Sequence, residues 1–410
     1  MDIKIFPSKL IGTVNAPSSK AYSQRMIIAA ALAGGVSEVS NISVSNDIKV
    51  SAAAMEALGA SVFEENGTFT IRGIKDPPEK AEIDCCESGA TLRFVIPIAA
   101  ALGTESTFLG RAKLPQRPIT PYLREFPQKG VEFEPQGGLP LHMKGRLGPG
   151  EYRMEGDISS QFITGLLYAL PLCDGNSTVK LTSHLQSKPY VNMTISALKS
   201  FGIEIQETLK DGLLTYNIKG GQKYLPCDIS VEGDYSQAAF FYVANALGSE
   251  IEIRNLDPDT AQGDKAIVDI VKGCGKEMLP FTADVGDIPD LVPILTVLGC
   301  FTKGTSRIVN AARLKIKESD RLADVARQLN AIGGRITAGD DFLEIQPIEK
   351  FTGGEVDSCH DHRIVMSAAI AALSSDSPVI IRGAEAVNKS YPRFFEDYKA
   401  LGGRFEMIGQ

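Results

Sequence analysis

The chain has 410 residues, which at roughly 150 residues per domain is enough for two or three domains with sizeable cores. Apolar residues make up 43% and charged residues 22%, with no polar low-complexity tract, so a disordered chain is excluded. The net charge of −8 argues against a broad nucleic-acid or anionic-membrane surface, and any anion binding must be local.

The opening Met1-Asp-Ile-Lys-Ile-Phe-Pro has neither the apolar core of a secretory signal nor the Arg/Ser bias of a transit peptide, and a cytoplasmic protein is expected. Apolar runs such as 94–102 and 291–301 fall short of the roughly 18 residues that span a bilayer. Seven cysteines without a Cys-x-x-Cys pair point to reduced thiols.

Along the chain one phrase recurs six times: an amphipathic run closing on an apolar residue and glycine, then a short alternating strand. The copies lie at 54–62, 126–133, 198–205, 270–278, 329–336 and 398–405, the second and fourth degenerate. Glycine just past a periodic helix is a C-cap signal, because the left-handed conformation costs it little. The glycines at 59, 130, 202, 275, 333 and 402 are spaced by 71, 72, 73, 58 and 69 residues. Each copy is accompanied by a second helix, apolar nearly all round and therefore buried, at 26–33, 94–102, 162–170, 238–247, 291–298 and 364–373. Strands are expected at 37–40, 179–182 and 250–253. The result is six αβ units. The linker-like stretch 220–227 separates three from three, which predicts two three-repeat lobes around a cleft.

Immediately before each buried helix the sequence turns polar, for example Ser18-Ser-Lys-Ala-Tyr-Ser-Gln-Arg25, Glu87-Ser-Gly-Ala-Thr-Leu-Arg93, Asp157-Ile-Ser-Ser-Gln161 and His360-Asp-His-Arg363. Taken singly these are ordinary N-caps. Six together offer helix N-termini with unpaired N–H groups, which suit anions. Lys317-Glu-Ser-Asp-Arg321 reads alone as a helix start capped by Ser319 or Asp320, yet Lys317 and Arg321 stand four apart, a spacing at which like charges on a helix repel unless an anion lies between them. Lys20, Arg25, Arg117, Arg363 and Lys389 sit in or near the polar phrases as well. Cys359-His-Asp-His362 raises the question of a metal, but histidines two apart do not share a helical face, and none is expected. The glycine-rich 273–276 ends a helix rather than opening one and lacks the phosphate-loop pattern.

The ordered series Lys20-Ala-Tyr-Ser-Gln-Arg25, Ser88-Gly-Ala-Thr-Leu-Arg93, Gln116-Arg-Pro-Ile119, Ser159-Ser-Gln161, Ser187-Lys-Pro-Tyr190, Asp287-Ile-Pro-Asp290, Lys317-Glu-Ser-Asp-Arg321, Asp361-His-Arg363 and Lys389-Ser-Tyr-Pro392 resembles that of the 5-enolpyruvylshikimate-3-phosphate synthase family, from about residue 9 to 400. The resemblance implies an α/β fold of two inside-out lobes, each of three repeated αβ units, facing across a cleft. The first strand would return to the C-terminal lobe, giving 15–225 as one lobe and 1–14 with 226–410 as the other. It implies transfer of the enolpyruvyl group of phosphoenolpyruvate to the 5-hydroxyl of shikimate 3-phosphate, with release of phosphate, by a cytoplasmic monomer that needs no cofactor or metal and meets no nucleic acid or membrane. Glyphosate would compete with phosphoenolpyruvate, as in much of the family.

By the same resemblance Lys20, Gly89, Arg117, Gln161, Arg321, Arg363 and Lys389 hold phosphoenolpyruvate. Shikimate 3-phosphate falls to Lys20, Arg25, Ser159, Ser160, Gln161, Ser187, Tyr190, Asp290 and Lys317: Arg25 for its carboxylate, the serines for its phosphate, Tyr190 for its ring, Asp290 and Lys317 for its hydroxyls. Glu318 and Lys20 are candidates for proton traffic and Asp290 for the base. Ala21, Glu87 and Arg313 depart from residues common in the family. The sister transferase acting on UDP-N-acetylglucosamine carries a catalytic cysteine in a loop that here reads Ala112-Lys-Leu-Pro-Gln-Arg117, without cysteine. A non-catalytic anion-binding repeat protein would need the cations but not the carboxylates Asp290 and Glu318.

Overall fold

The computed structural model describes residues 1–135 and 137–408, and of Ile316 the backbone alone. The chain forms two compact units, Lys20–Val231 and Met1–Ser19 with the chain from Glu232 on. The divisions fall further along the chain than 14/15 and 225/226. Backbone pairing is the reason: Ile11–Asn15 pairs with Glu250–Arg254, while Ile229–Ser230 pairs with Val36–Ser40. The stretch 220–227 is irregular and belongs to the earlier unit, where the Tyr224 hydroxyl donates to the Tyr168 carbonyl at 2.7 Å.

In Lys20–Val231 the helices are α1 (Lys20–Leu32), α2 (Asn46–Ala57), α3 (Gly89–Leu102), α4 (Thr120–Glu125), α5 (Ser160–Ala169) and α6 (Lys188–Ser200). Three four-stranded sheets accompany them, and each is built in one order. A parallel pair comes first, such as Lys80–Asp84 with Glu105–Leu109, and an antiparallel hairpin follows, such as Leu141–Gly145 with Val131–Glu134. The apolar helices α1, α3 and α5 are buried along nearly their whole lengths, as their lack of a polar face requires.

The other unit repeats the plan with α7 (Tyr235–Ala246), α8 (Ala266–Cys274), α9 (Val292–Cys300), α10 (Arg321–Ala331), α11 (His362–Ala371) and α12 (Phe394–Ala400). Its buried helices are α7, α9 and α11. Two departures break the plan, and the first explains the short glycine interval. The fourth repeat has only the parallel pair Ile11–Asn15 and Glu250–Arg254, so no hairpin follows Gly275 and the next glycine arrives after 58 residues. In the sixth, the N-terminal strand Asp2–Phe6 takes the place of one hairpin strand, antiparallel to both Val379–Arg382 and Arg404–Ile408. All six repeat glycines have positive φ, from +57° to +105°.

Pro97 inside α3 cannot donate to the Arg93 carbonyl four residues back. The Tyr122 hydroxyl does so instead, at 2.7 Å. Gly165 of α5 meets the same place, where a Cβ would fall 2.3 Å from the Arg93 carbonyl oxygen, so α3 and α5 approach closely only because residue 165 is glycine. This contact sets the start of α3 against the start of α5. Among the described residues no helix is long and apolar enough to cross a membrane.

Candidate active site

In the unit Lys20–Val231 the polar phrases fall at the N-termini of the buried helices. Ser88 caps α3 and Ser159 caps α5, their hydroxyls accepting from the Thr91 and Gln161 N–H groups. Arg25 is 3% exposed. Its Nε donates to Thr194 Oγ1 at 2.9 Å, Nη1 to the Ala21 carbonyl at 2.8 Å and Nη2 to the Tyr190 carbonyl at 2.9 Å, all neutral oxygens. The guanidinium also lies over the rings of Phe94 and Tyr190, at 5.3 and 6.0 Å. Burial lowers its proton affinity, the mark of a cation whose desolvation is not repaid by a carboxylate.

Lys20 opens α1 and its ammonium is 3.1 Å from Asp47 of α2. Arg117 is half-buried after the short 3-10 turn Leu114–Gln116, and a Cβ on Gly89 would stand 2.3 Å from its Nη1. The space that Gly89 leaves is therefore occupied by the Arg117 guanidinium, which approaches the start of α3. Gln161 accepts from Arg93 Nη1 at 2.7 Å. Ser160 is buried in the first turn of α5, and Ser187, 2% exposed, precedes α6 with φ +59°, a conformation unusual for a residue with a side chain. Gln186 N–H donates to the Gly156 carbonyl at 3.0 Å, tying the loop before α6 to that before α5.

The second group is knit by carboxylates. Asp290 lies in the 3-10 turn Pro289–Leu291 ahead of α9. Its Oδ1 is 2.9 Å from Arg321 Nη1 and 3.6 Å from Lys317 Nζ, and its Oδ2 is 3.1 Å from Arg363 Nη2. Arg321, 1% exposed, also donates from Nη2 to Glu318 and from Nε to the fully buried Asp361, both at 2.8 Å. Lys317 is not on the helix with Arg321 as its spacing suggested. It follows the 3-10 turn Ala312–Ile316, Asp320 caps α10, and the carboxylate of Asp290 lies between the two cations. Lys389 ends the segment Ala384–Lys389, which packs along α11.

Burial alone would raise the Asp290 carboxyl, but the charges of Arg363, Lys317 and Arg321 outweigh it and hold the group well below the usual carboxylate range. Burial likewise works against the charged form of Arg321, and Asp361, Glu318 and Asp290 more than compensate. Lys317 goes the other way: burial lowers its proton affinity despite Asp290.

A model of the EPSP synthase (3-phosphoshikimate 1-carboxyvinyltransferase) family matches residues 6–398. The chain is 44% identical to the 3-phosphoshikimate 1-carboxyvinyltransferase of Clostridium novyi and 43% identical to that of Clostridium acetobutylicum, covering 98% of this chain in each case and 98% and 97% of the relatives. The chain belongs to the EPSP synthase family. Among solved structures, EPSP synthase from Acinetobacter baumannii superposes with a TM-score of 0.83 at 24% identity, over 99% of both chains. The enolpyruvyl transferase NikO from Streptomyces tendae gives 0.79 at 18% identity, over 99% of this chain and 98% of that one, so the two-lobed fold extends to more distant relatives.

Against the family's motif series, four participants escaped the sequence reading. Asp47, the partner of Lys20, stands in an ordinary helix start, Ser45-Asn-Asp47. Thr194 lies on α6, far in sequence from Arg25. Arg93 and Asp361 stand inside quoted motifs, but nothing in their types told that one holds Gln161 and the other Arg321. The repeat itself was the available signal: Arg25, Arg93, Arg321 and Arg363 all stand at or near the start of a helix.

Proposed function

We propose that this chain transfers the enolpyruvyl group of phosphoenolpyruvate to the 5-hydroxyl of shikimate 3-phosphate and releases phosphate. The observation that carries the reading is the Asp290 centre: one carboxylate at the edge of three cations, on the turn where the family's motif stands. The chemistry needs three things. A proton must reach the methylene carbon C3, the electron-poor C2 must be met by the 5-hydroxyl oxygen, and that hydroxyl must lose its proton. A proton then leaves the new methyl group, the bond from C2 to the phosphate oxygen breaks, and an enol ether and inorganic phosphate result. Atoms and charges balance with the two substrates alone.

Phosphoenolpyruvate is assigned to Lys20, Gly89, Arg117, Gln161, Arg321, Arg363 and Lys389, and shikimate 3-phosphate to Lys20, Arg25, Ser159, Ser160, Gln161, Ser187, Tyr190, Asp290 and Lys317. Guanidinium groups present paired donors that suit carboxylate and phosphate oxygens. Arg25, buried against neutral oxygens, is suited to the shikimate carboxylate. Ser159 and Ser160 at a helix start suit a phosphate. Asp290 is the base for the 5-hydroxyl. Its carboxylate gains proton affinity as substrate oxyanions draw Arg321 and Arg363 toward themselves. Glu318 and Lys20 serve the proton traffic.

Arg363→Ala tests the assignment. Loss of a charge-assisted pair costs about 1.5–3 kcal/mol, so the KM for phosphoenolpyruvate rises roughly ten- to a hundredfold with the melting temperature kept. Unchanged KM and kcat in a folded variant would remove Arg363 from the site.

A further inference from the structure

Within the unit Lys20–Val231 three buried hydroxyls run from α2 to the start of α3, and the reaction as described does not use them. Ser51 of α2 and Thr91 of α3 are inaccessible, and Ser88, the cap of α3, is 1% exposed. Ser51 Oγ lies 2.8 Å from Thr91 Oγ1, and Thr91 Oγ1 lies 2.9 Å from Ser88 Oγ. The Thr91 N–H closes the cap on Ser88 Oγ at 3.3 Å. On its other side Ser51 donates to the Asp47 carbonyl at 3.0 Å and accepts from Gln24 Nε2 of α1, also at 3.0 Å. One serine oxygen therefore joins α1, α2 and α3.

The same three helices carry groups assigned to phosphoenolpyruvate. Lys20 opens α1 and pairs with Asp47 of α2 at 3.1 Å, while Gly89 opens α3 with the Arg117 guanidinium beside it. Further along, α3 is held by α5, through the close approach at Gly165 and the Tyr122 bond to the Arg93 carbonyl. What the hydroxyls set is its first turn. Apolar contact is non-directional and tolerates sliding, whereas a hydroxyl bond at 2.8 Å is directional and holds one spacing. Shikimate 3-phosphate is assigned to side chains of α1, α5 and α6 and does not sense that spacing. Phosphoenolpyruvate does, because it is met from α1 and from the start of α3 at once.

We propose that Thr91 is a positioning residue. With Ser51 it fixes the first turn of α3, and so Gly89 and the adjoining Arg117, at the distance from Lys20 that phosphoenolpyruvate spans. The inference rests on the assignment of Lys20, Gly89 and Arg117 to phosphoenolpyruvate. If the hydroxyls merely satisfied one another, as buried polar groups must, Thr91 would matter for stability alone.

The experiment measures the KM for phosphoenolpyruvate and the dissociation constant of shikimate 3-phosphate in wild type, Thr91→Val, Thr91→Ser, Ser51→Ala and the double variant Ser51→Ala with Thr91→Val. Lys20→Met is measured beside them. Valine keeps the shape of threonine and loses the hydroxyl; serine keeps the hydroxyl and loses the methyl group. Thr91→Val is expected to raise the KM for phosphoenolpyruvate about tenfold and to leave the shikimate 3-phosphate constant within about twofold. Thr91→Ser should stay within about twofold of wild type in both. Because Ser51 and Thr91 form one link, the double variant should be no weaker than the worse single variant.

No rise in Thr91→Val, an equal rise in Thr91→Ser, or a shikimate 3-phosphate constant rising in step would overturn the proposal and make Thr91 a packing residue. Effects that multiply in the double variant would overturn it as well. A phosphoenolpyruvate KM that Lys20→Met leaves unchanged would instead overturn the assignment on which it rests. Should Thr91→Val fail to fold, Ser51→Ala cuts the same link from α2 and places a good helix former there, with the same expectation and the same refutation.

Discussion

In the unit Lys20–Val231 Arg25 is buried against a threonine hydroxyl and two backbone carbonyls, whereas in the other unit Arg321 is buried against Asp290, Glu318 and Asp361. Both are arginines at the start of an apolar or amphipathic helix, and both are nearly inaccessible. The difference lies in what their charge is for. A buried cation with neutral partners keeps its full attraction for an incoming carboxylate and contributes to ligand affinity. A cation inside a lattice of carboxylates has most of its donors engaged within the protein, so besides the share of phosphoenolpyruvate assigned to it, it holds Asp290, Glu318 and Asp361 in place, and its loss falls on stability as well as on binding.

That contrast can be broken most sharply at Asp290. Asp290→Asn keeps the size and much of the hydrogen bonding but cannot take a proton, so kcat is expected to fall roughly 10²–10⁴-fold with shikimate 3-phosphate affinity little changed. Turnover within about tenfold of wild type, or affinity falling in step with kcat, would make Asp290 a binding residue. Next in size, Arg321→Ala leaves the buried Asp361 and its neighbours without their shared cation and should destabilise the fold by about 3–5 kcal/mol, read as a lower denaturant midpoint. Arg25→Ala should do the opposite. Its partners are neutral, so the main loss is about 1.5–3 kcal/mol of shikimate 3-phosphate binding, and a drop in stability as large as that of Arg321→Ala would erase the distinction drawn between them.

The smallest change is Gly89→Ala. Its methyl group must displace the Arg117 guanidinium, the flexible end of a side chain, so the backbone need not move and stability should hold. Phosphoenolpyruvate KM and the inhibition constant of glyphosate should both rise, by roughly five- to a hundredfold for the 1–3 kcal/mol typical of overpacking. Equal inhibition of variant and wild type would contradict the placement of Arg117 beside the ligand. Resistance of the wild type itself would leave the transferase assignment standing.

The repeat was legible because it is written in local chemistry: glycine is needed where the φ angle turns positive after each surface helix, and a helix without a polar face has nowhere to go but inside. The missing hairpin of the fourth repeat could be read only as an unexplained interval of 58 residues. Within the site, the cations stood out by type and position, but their pairing did not. Thr194 and Arg25 are brought together by the packing of α1 on α6, and Asp361 meets Arg321 across α10 and α11, contacts that no periodicity encodes.

The most direct measurement is the stoichiometry of phosphate release by the purified protein given shikimate 3-phosphate and phosphoenolpyruvate. Enolpyruvyl transfer requires both substrates and yields one phosphate for each enol ether formed at the 5-oxygen. Phosphate released without shikimate 3-phosphate, or no phosphate with both substrates present at saturating concentration, would contradict it.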